Sequence, residues 1–265
     1  MSQLIEDRTI YRGDGEHVVR LEPCGKRVRT YLGGVPVADS TRVQLMFETG
    51  HLPVYYFPVE DVRLDHLQPT DHHTHCPYKG DASYYSARAG GKIAENAAWH
   101  YRAPLPGAPP ELTGLIAFYW GKMDRWLEED DEVWVHPRDP YHRVDVLRSS
   151  RHVQVKVGGE IIADSRRPRL LFETGLPTRY YLPKVDARLD LLEDSDTTSR
   201  CPYKGVASYY SARVGQEIIK DVAWYYPLPI PECPKIENMV CFFNERVEAV
   251  IVDGEVQPKP TTPWS

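Results

Sequence analysis

The chain has 265 residues, 42% of them hydrophobic and 11% aromatic, enough for a packed core and unlike a disordered chain. Its formal net charge of −6 has both signs interleaved, which argues against a protein that grips nucleic-acid phosphates. No apolar run approaches the ~18 residues of a membrane-spanning helix, and residues 1–8 show no basic segment leading into an apolar stretch, so no export signal is expected.

The 17 tyrosines and 23 prolines suit short strands and turns better than long helices. In chain order, residues 27–32 and 35–38 flank Gly33-Gly34 and read as a hairpin with a primed turn. Residues 62–67 are ambiguous between a short helix and irregular chain. Charge and proline then cluster at 128–132 and 136–140, where a domain boundary is expected. Residues 152–157 alternate strictly, meet Gly158-Gly159 and continue through 160–163 as a second hairpin. Further strands are expected at 169–173, 178–182, 207–212, 216–219, 239–243 and 247–252, with 187–192 ambiguous like its counterpart 62–67.

The chain repeats itself. Cys76-Pro-Tyr-Lys-Gly recurs as Cys201-Pro-Tyr-Lys-Gly, a displacement of 125 residues, and the surrounding segments match at 12 of 15 positions. The same displacement carries Gly33-Gly34, Ala38-Asp39-Ser40, Phe47-Glu48-Thr49-Gly50, Tyr55-Tyr56 and Trp99 onto identical residues. A period this long signals duplicated domains rather than a solenoid of ~20–50-residue repeats. Domains at 1–130 and 131–265 are expected, each a small β structure and packed on one another.

The Gly-Gly hairpin, the Ala-Asp-Ser segment, the glutamate-bearing strand, Tyr-Tyr-x-Pro, the Cys-Pro-Tyr-Lys-Gly block and the late Ala-Trp together resemble the family of domain of unknown function 427. The resemblance implies two tandem β-tent-like domains. In each, two small antiparallel sheets enclose a pocket, as in the thalidomide-binding domain of cereblon and methionine-sulfoxide reductase B. It implies no activity, because the family has none assigned.

Four residue sets carry possible chemistry. Cys76 with Lys79, and Cys201 with Lys204, place an ammonium three residues from a thiol, and a nearby cation makes a thiol a better nucleophile. The alternative is a buried thiol in a proline-held turn, and no histidine recurs beside the motif in both copies to act as base. His72, His73 and His75 before Cys76 offer metal-ligand types, but Thr197, Thr198 and Arg200 stand at the matching positions of the second copy, so a surface loop is expected. Five scattered cysteines without a CxxC pair argue against a zinc knuckle and a redox dithiol, and fit free thiols in a reducing cytoplasm. Tyr55/Tyr56, Tyr84/Tyr85 and Trp99, with Tyr180/Tyr181, Tyr209/Tyr210 and Trp224, are either pocket walls or plain core; adjacent tyrosines on a strand face opposite ways. Glu48 and Glu173 follow apolar runs and suit buried carboxylates paired with Lys79 or Arg88 and their counterparts. Asp39 and Asp164 read as turn residues bonding their own backbone.

No glycine pattern cradles phosphate, and neither a nucleophile elbow nor a zinc-binding HExxH helix occurs. Three function classes stay open: a small-molecule or modified-residue binder, an enzyme using Cys and Lys for group transfer or thiol chemistry, and a scaffold. No cofactor or metal is expected. A pocket would be lined by Glu48, Tyr56, Cys76, Lys79, Tyr85 and Trp99 in the first copy and by Glu173, Tyr181, Cys201, Lys204, Tyr210 and Trp224 in the second.

Overall fold

The computed structural model describes residues 11–12 and 17–262; residues 1–8, on which the absence of an export signal was read, lie outside them. The chain divides into two compact units, Met1–Arg138 and Asp139–Ser265. Each is built from two antiparallel sheets, so the protein is mostly β. No helix among the described residues is long and apolar enough to cross a membrane.

In the first unit the smaller sheet has four strands and contains the hairpin Val28–Leu32 and Val35–Ser40. Leu32 pairs with Val35, which leaves Gly33 (φ 58°) and Gly34 (φ 76°) as a two-residue turn with the two positive φ angles that a type I′ turn requires. A side chain at Gly33 has no room either, since a Cβ there would lie 2.5 Å from the Ala89 carbonyl oxygen. The larger sheet has eight strands. Its inner part runs from Gln44–Glu48 through Val54–Pro58, Leu115–Phe118 and Lys92–Tyr101 to Gly80–Ala89, with Leu67–Cys76 at the edge.

Both faces of this larger sheet are covered, and strand periodicity sorts its side chains between them. One face meets the smaller sheet in a core of Val28, Val37, Tyr55, Phe57, Phe118 and Trp126, with Tyr85 packed against it. The other carries Tyr56, Tyr84, Tyr101 and Ala117 beneath Ala108 and Leu112 of the segment that follows the strand Lys92–Tyr101. Leu115–Phe118 is therefore buried at every position, the pattern of a strand with no solvent face.

The second unit repeats the plan. Seven strands form its larger sheet and four its smaller one. Val153, Val155, Leu182, Tyr210 and Val240 fill the core between the sheets, while Tyr181, Trp224, Tyr226, Ile236 and Cys241 form the outer cluster.

Three expectations are corrected. The ambiguous segments 62–67 and 187–192 form no α-helix: each holds one 3-10 turn, Leu64–His66 and Leu189–Leu191, before entering a strand, and a further 3-10 turn, Val59–Asp61 or Lys184–Asp186, precedes each. The histidine run is not a loop: His72, His73 and His75 lie on the ten-residue edge strand Leu67–Cys76, with their side chains exposed. Its polar composition hid the strand, because an edge strand has little apolar surface to bury. Asp39 does not cap its own turn. It accepts two hydrogen bonds from Arg27 across the hairpin, at 2.7 and 2.5 Å, and Asp164 likewise accepts from His152 at 2.7 Å and Gln154 at 2.8 Å.

Candidate functional site: an aromatic cavity beside a histidine–glutamate–lysine cluster

The Cys-Pro-Tyr-Lys-Gly block is the tip of a hairpin, with Cys76 paired to Gly80 and Cys201 to Gly205. Gly80 takes a φ of 100°, and a Cβ there would lie 3.3 Å from the Ala103 carbonyl oxygen and from the Leu105 side chain, a site where only glycine is unstrained. This tip turns the lysine inward, and Lys79 and Lys204 are both buried. Lys79 donates to Glu48, and Lys204 donates to both carboxylate oxygens of Glu173 at 2.6 Å. Arg88 is not the partner of Glu48.

Each carboxylate also accepts from a histidine: Glu48 from His17 Nε2 at 3.1 Å and Glu173 from His142 Nε2 at 3.0 Å. His17 stacks on Tyr78 with ring centroids 3.5 Å apart, and His142 on Tyr203 at 4.1 Å. His17 and His142 are themselves 125 residues apart. A histidine therefore does recur beside the motif in both copies, contrary to the sequence expectation. It sits just ahead of a strand far upstream of the motif, His17 before Val18–Pro23 and His142 before Val144–Arg148.

Burial would raise the Glu48 carboxyl, but the Lys79 ammonium and His17 outweigh it and hold the group below its ordinary range. Glu173 is held down in the same way by Lys204 and His142. Burial works against the Lys204 ammonium, yet Cys201 and Glu173 keep its pKa above the ordinary value. Each cluster is thus an ion pair with its charges neutralised internally. The lysine is held by the glutamate in both units, and in the second unit Lys204 also interacts with the Cys201 thiol.

Above the cluster in the first unit lies a cavity of about 490 Å³, at the shared end of the strands Gln44–Glu48, Val54–Pro58 and Leu115–Phe118. Of the residues expected in a pocket, Glu48, Tyr56, Lys79 and Trp99 line it. Cys76 packs against the outer cluster without lining the cavity. Tyr85 points the other way, into the core between the sheets, and its neighbour Tyr84 lines the cavity in its place. The second unit repeats this division, with Tyr210 in the inter-sheet core and Tyr209 packed on the outer cluster.

Trp99 is the best-positioned wall. Its indole N–H donates to the Tyr56 hydroxyl at 3.1 Å, and the two rings meet edge to face at 88°. Tyr119 leans on Trp99 with centroids 4.6 Å apart, and its hydroxyl lies 3.2 Å from that of Tyr84. Trp120 and Trp126, stacked at 4.5 Å, extend the wall. Burial pushes the Tyr56 hydroxyl well above its ordinary pKa and Tyr119 up to about 12, so both stay neutral hydrogen-bonding groups. Tyr101, two residues beyond Trp99 on the same strand face, also lines the cavity. Its counterpart Tyr226 packs with Trp224 in the second unit.

The three histidines do not converge. His75 bonds Asp81 at 2.6 Å, His73 lies 3.4 Å from the Ser83 hydroxyl, and His72 packs edge-on against Tyr84. Among the described residues, no group of three or more histidine, cysteine or acidic side chains is placed to hold a metal ion.

Residues 20–129 and 145–253 each match the family described as a domain of unknown function, DUF427. The chain belongs to this family as a tandem pair. A comparison with curated proteins returned no match.

Proposed function

We propose that this protein binds a small molecule or a modified amino-acid side chain, and that the cavity of the first unit is the binding site. One observation carries the reading: a concavity of about 490 Å³ is walled by Trp99, Tyr119, Tyr84 and Trp120, with the Glu48–Lys79 pair, His51 and His136 as polar groups of its lining. Volume, aromatic walls and few polar groups are the attributes of ligand sites. A scaffold that only packs on a partner has no need to keep such a space open. The enzyme reading has less support, because Cys76 stands outside the lining and Lys79 is held by Glu48. All five cysteines are free thiols, which suits the reducing cytoplasm proposed as the compartment.

The test is a fragment screen by thermal shift on the full chain and on its Trp99→Ala variant. Ligands that bind the native state raise the melting temperature, and those hits are expected to vanish in Trp99→Ala. Absence of any hit on the wild-type chain, or hits that survive Trp99→Ala unchanged, would contradict the proposal.

A further inference from the structure

The two units place different residues at one point of the same aromatic site. In the first unit Met46 pairs with Val54, and in the second Leu171 pairs with Arg179, so Arg179 occupies the register position of Val54. The strand Leu115–Phe118 matches Met239–Phe242, since Ala117 and Cys241 face Trp99 and Trp224 respectively. Continuing that alignment sets Gly121 against Glu245. Arg179 and Glu245 form a buried two-pronged ion pair at 2.6 and 2.8 Å. The guanidinium carbon lies 5.5 Å from the centre of the Trp224 ring. That is within cation–π range, and tryptophan is the best acceptor for such a contact.

The second unit thus holds a cation of its own on the tryptophan that matches Trp99. The first unit keeps the tryptophan and its tyrosine brace but has Val54 and Gly121 in place of the arginine and the glutamate. Val54 lines the cavity. A guanidinium brings five N–H donors that need acceptors, and Glu245 accepts two of them; Gly121 offers no side-chain acceptor. The open site therefore suits a cation whose charge is spread over alkyl groups and which carries no donors to satisfy.

Resting on the reading of this cavity as a ligand site, we propose that the first unit binds an alkylated ammonium group against Trp99, in the place that Arg179 takes in the second unit. The ring faces supply the attraction and the walls exclude water, the arrangement that recognises quaternary ammonium groups.

The experiment is calorimetric titration of the full chain with choline and with 3,3-dimethylbutan-1-ol, its uncharged equivalent in shape. Choline is expected to bind at one site per chain and roughly tenfold more tightly than the alcohol. The double variant Val54→Arg/Gly121→Glu is expected to abolish this binding by installing the second unit's ion pair. No heavy atom stands within 4 Å of where a Cβ at Gly121 would be, so the glutamate fits. The variant Trp99→Leu, checked for native circular dichroism, is expected to lose choline binding as well. Equal affinity for choline and the alcohol would overturn the cation proposal while leaving an apolar ligand site. Failure of both probes, with neutral fragments still binding in the thermal-shift screen, would overturn it too. Choline binding that persists in folded Trp99→Leu and in the double variant would show that the site is misplaced.

Discussion

The indole N–H of Trp99 donates to the hydroxyl of Tyr56 at 3.1 Å, and Trp224 makes the same bond to Tyr181 at 3.0 Å. Both tyrosines are completely or almost completely buried, so each is a fixed post against which a tryptophan is set. The bond ties the rigid centre of the larger sheet to the aromatic wall.

Tyr56→Phe and Tyr181→Phe remove the acceptor with almost no change in volume. An indole N–H left without a partner is expected to cost about 1–3 kcal/mol, with the larger loss in Tyr181→Phe because Trp224 is the more buried ring. Urea denaturation of the two variants measures this. Ligand affinity should fall in Tyr56→Phe, where Trp99 loses its brace, and remain unchanged in Tyr181→Phe.

The glutamate–lysine pairs set a pH dependence with a defined sign. Glu48 and Glu173 titrate below their ordinary value of 4.5. The stability they contribute is therefore complete above about pH 4.5 and is lost as pH falls through the lowered folded-state pKa. Lys204 is raised above 10.5, so its contribution is complete below that pH and is lost as pH rises through the higher folded-state value. Glu173→Gln strands a buried ammonium and is expected to cost about 3–5 kcal/mol at neutral pH. The double variant Glu173→Leu/Lys204→Met should lose less than that single change, since removing both charges leaves no ion unpaired. Denaturation midpoints across pH check both statements.

The two units have separate cores, and we propose that each is a domain that folds alone. Fragments 1–138 and 139–265, expressed separately, are expected to show cooperative unfolding and the far-ultraviolet circular dichroism of β structure. Fragments that remain unfolded while the full chain folds would mean that the units depend on each other.

Much of this was readable from residues alone, and the exceptions have physical causes. The glycine hairpins, the inner strands and the duplication were legible because apolar alternation and paired glycines report directly on local backbone. Edge strand Leu67–Cys76 was not, since exposure frees it from that alternation. In the site, Glu48, Lys79, Tyr56 and Trp99 announced themselves as distinctive residues kept in both copies. Choosing Tyr84 over Tyr85 required knowing which of them faces Trp99, and the register supplies it: Tyr84 stands directly opposite. Period-2 reading from Trp99 would have found Tyr101. His17 was missed because its link to Glu48 spans 31 residues and lies outside the compared block. Arg179 in the position of Val54 was visible as a difference between copies, but its meaning depends on the ring beneath it.

We propose that the first unit holds its ligand against Trp99. Indole N–H resonances of the full chain, labelled with nitrogen-15 and assigned by single tryptophan substitutions, test it most directly during titration with a thermal-shift hit or with choline. Saturable shifts of the Trp99 resonance are expected, accompanied by Trp120 or Trp126, while Trp224 stays in place. Shifts confined to Trp224, or none at any indole while binding is measured calorimetrically, would contradict it.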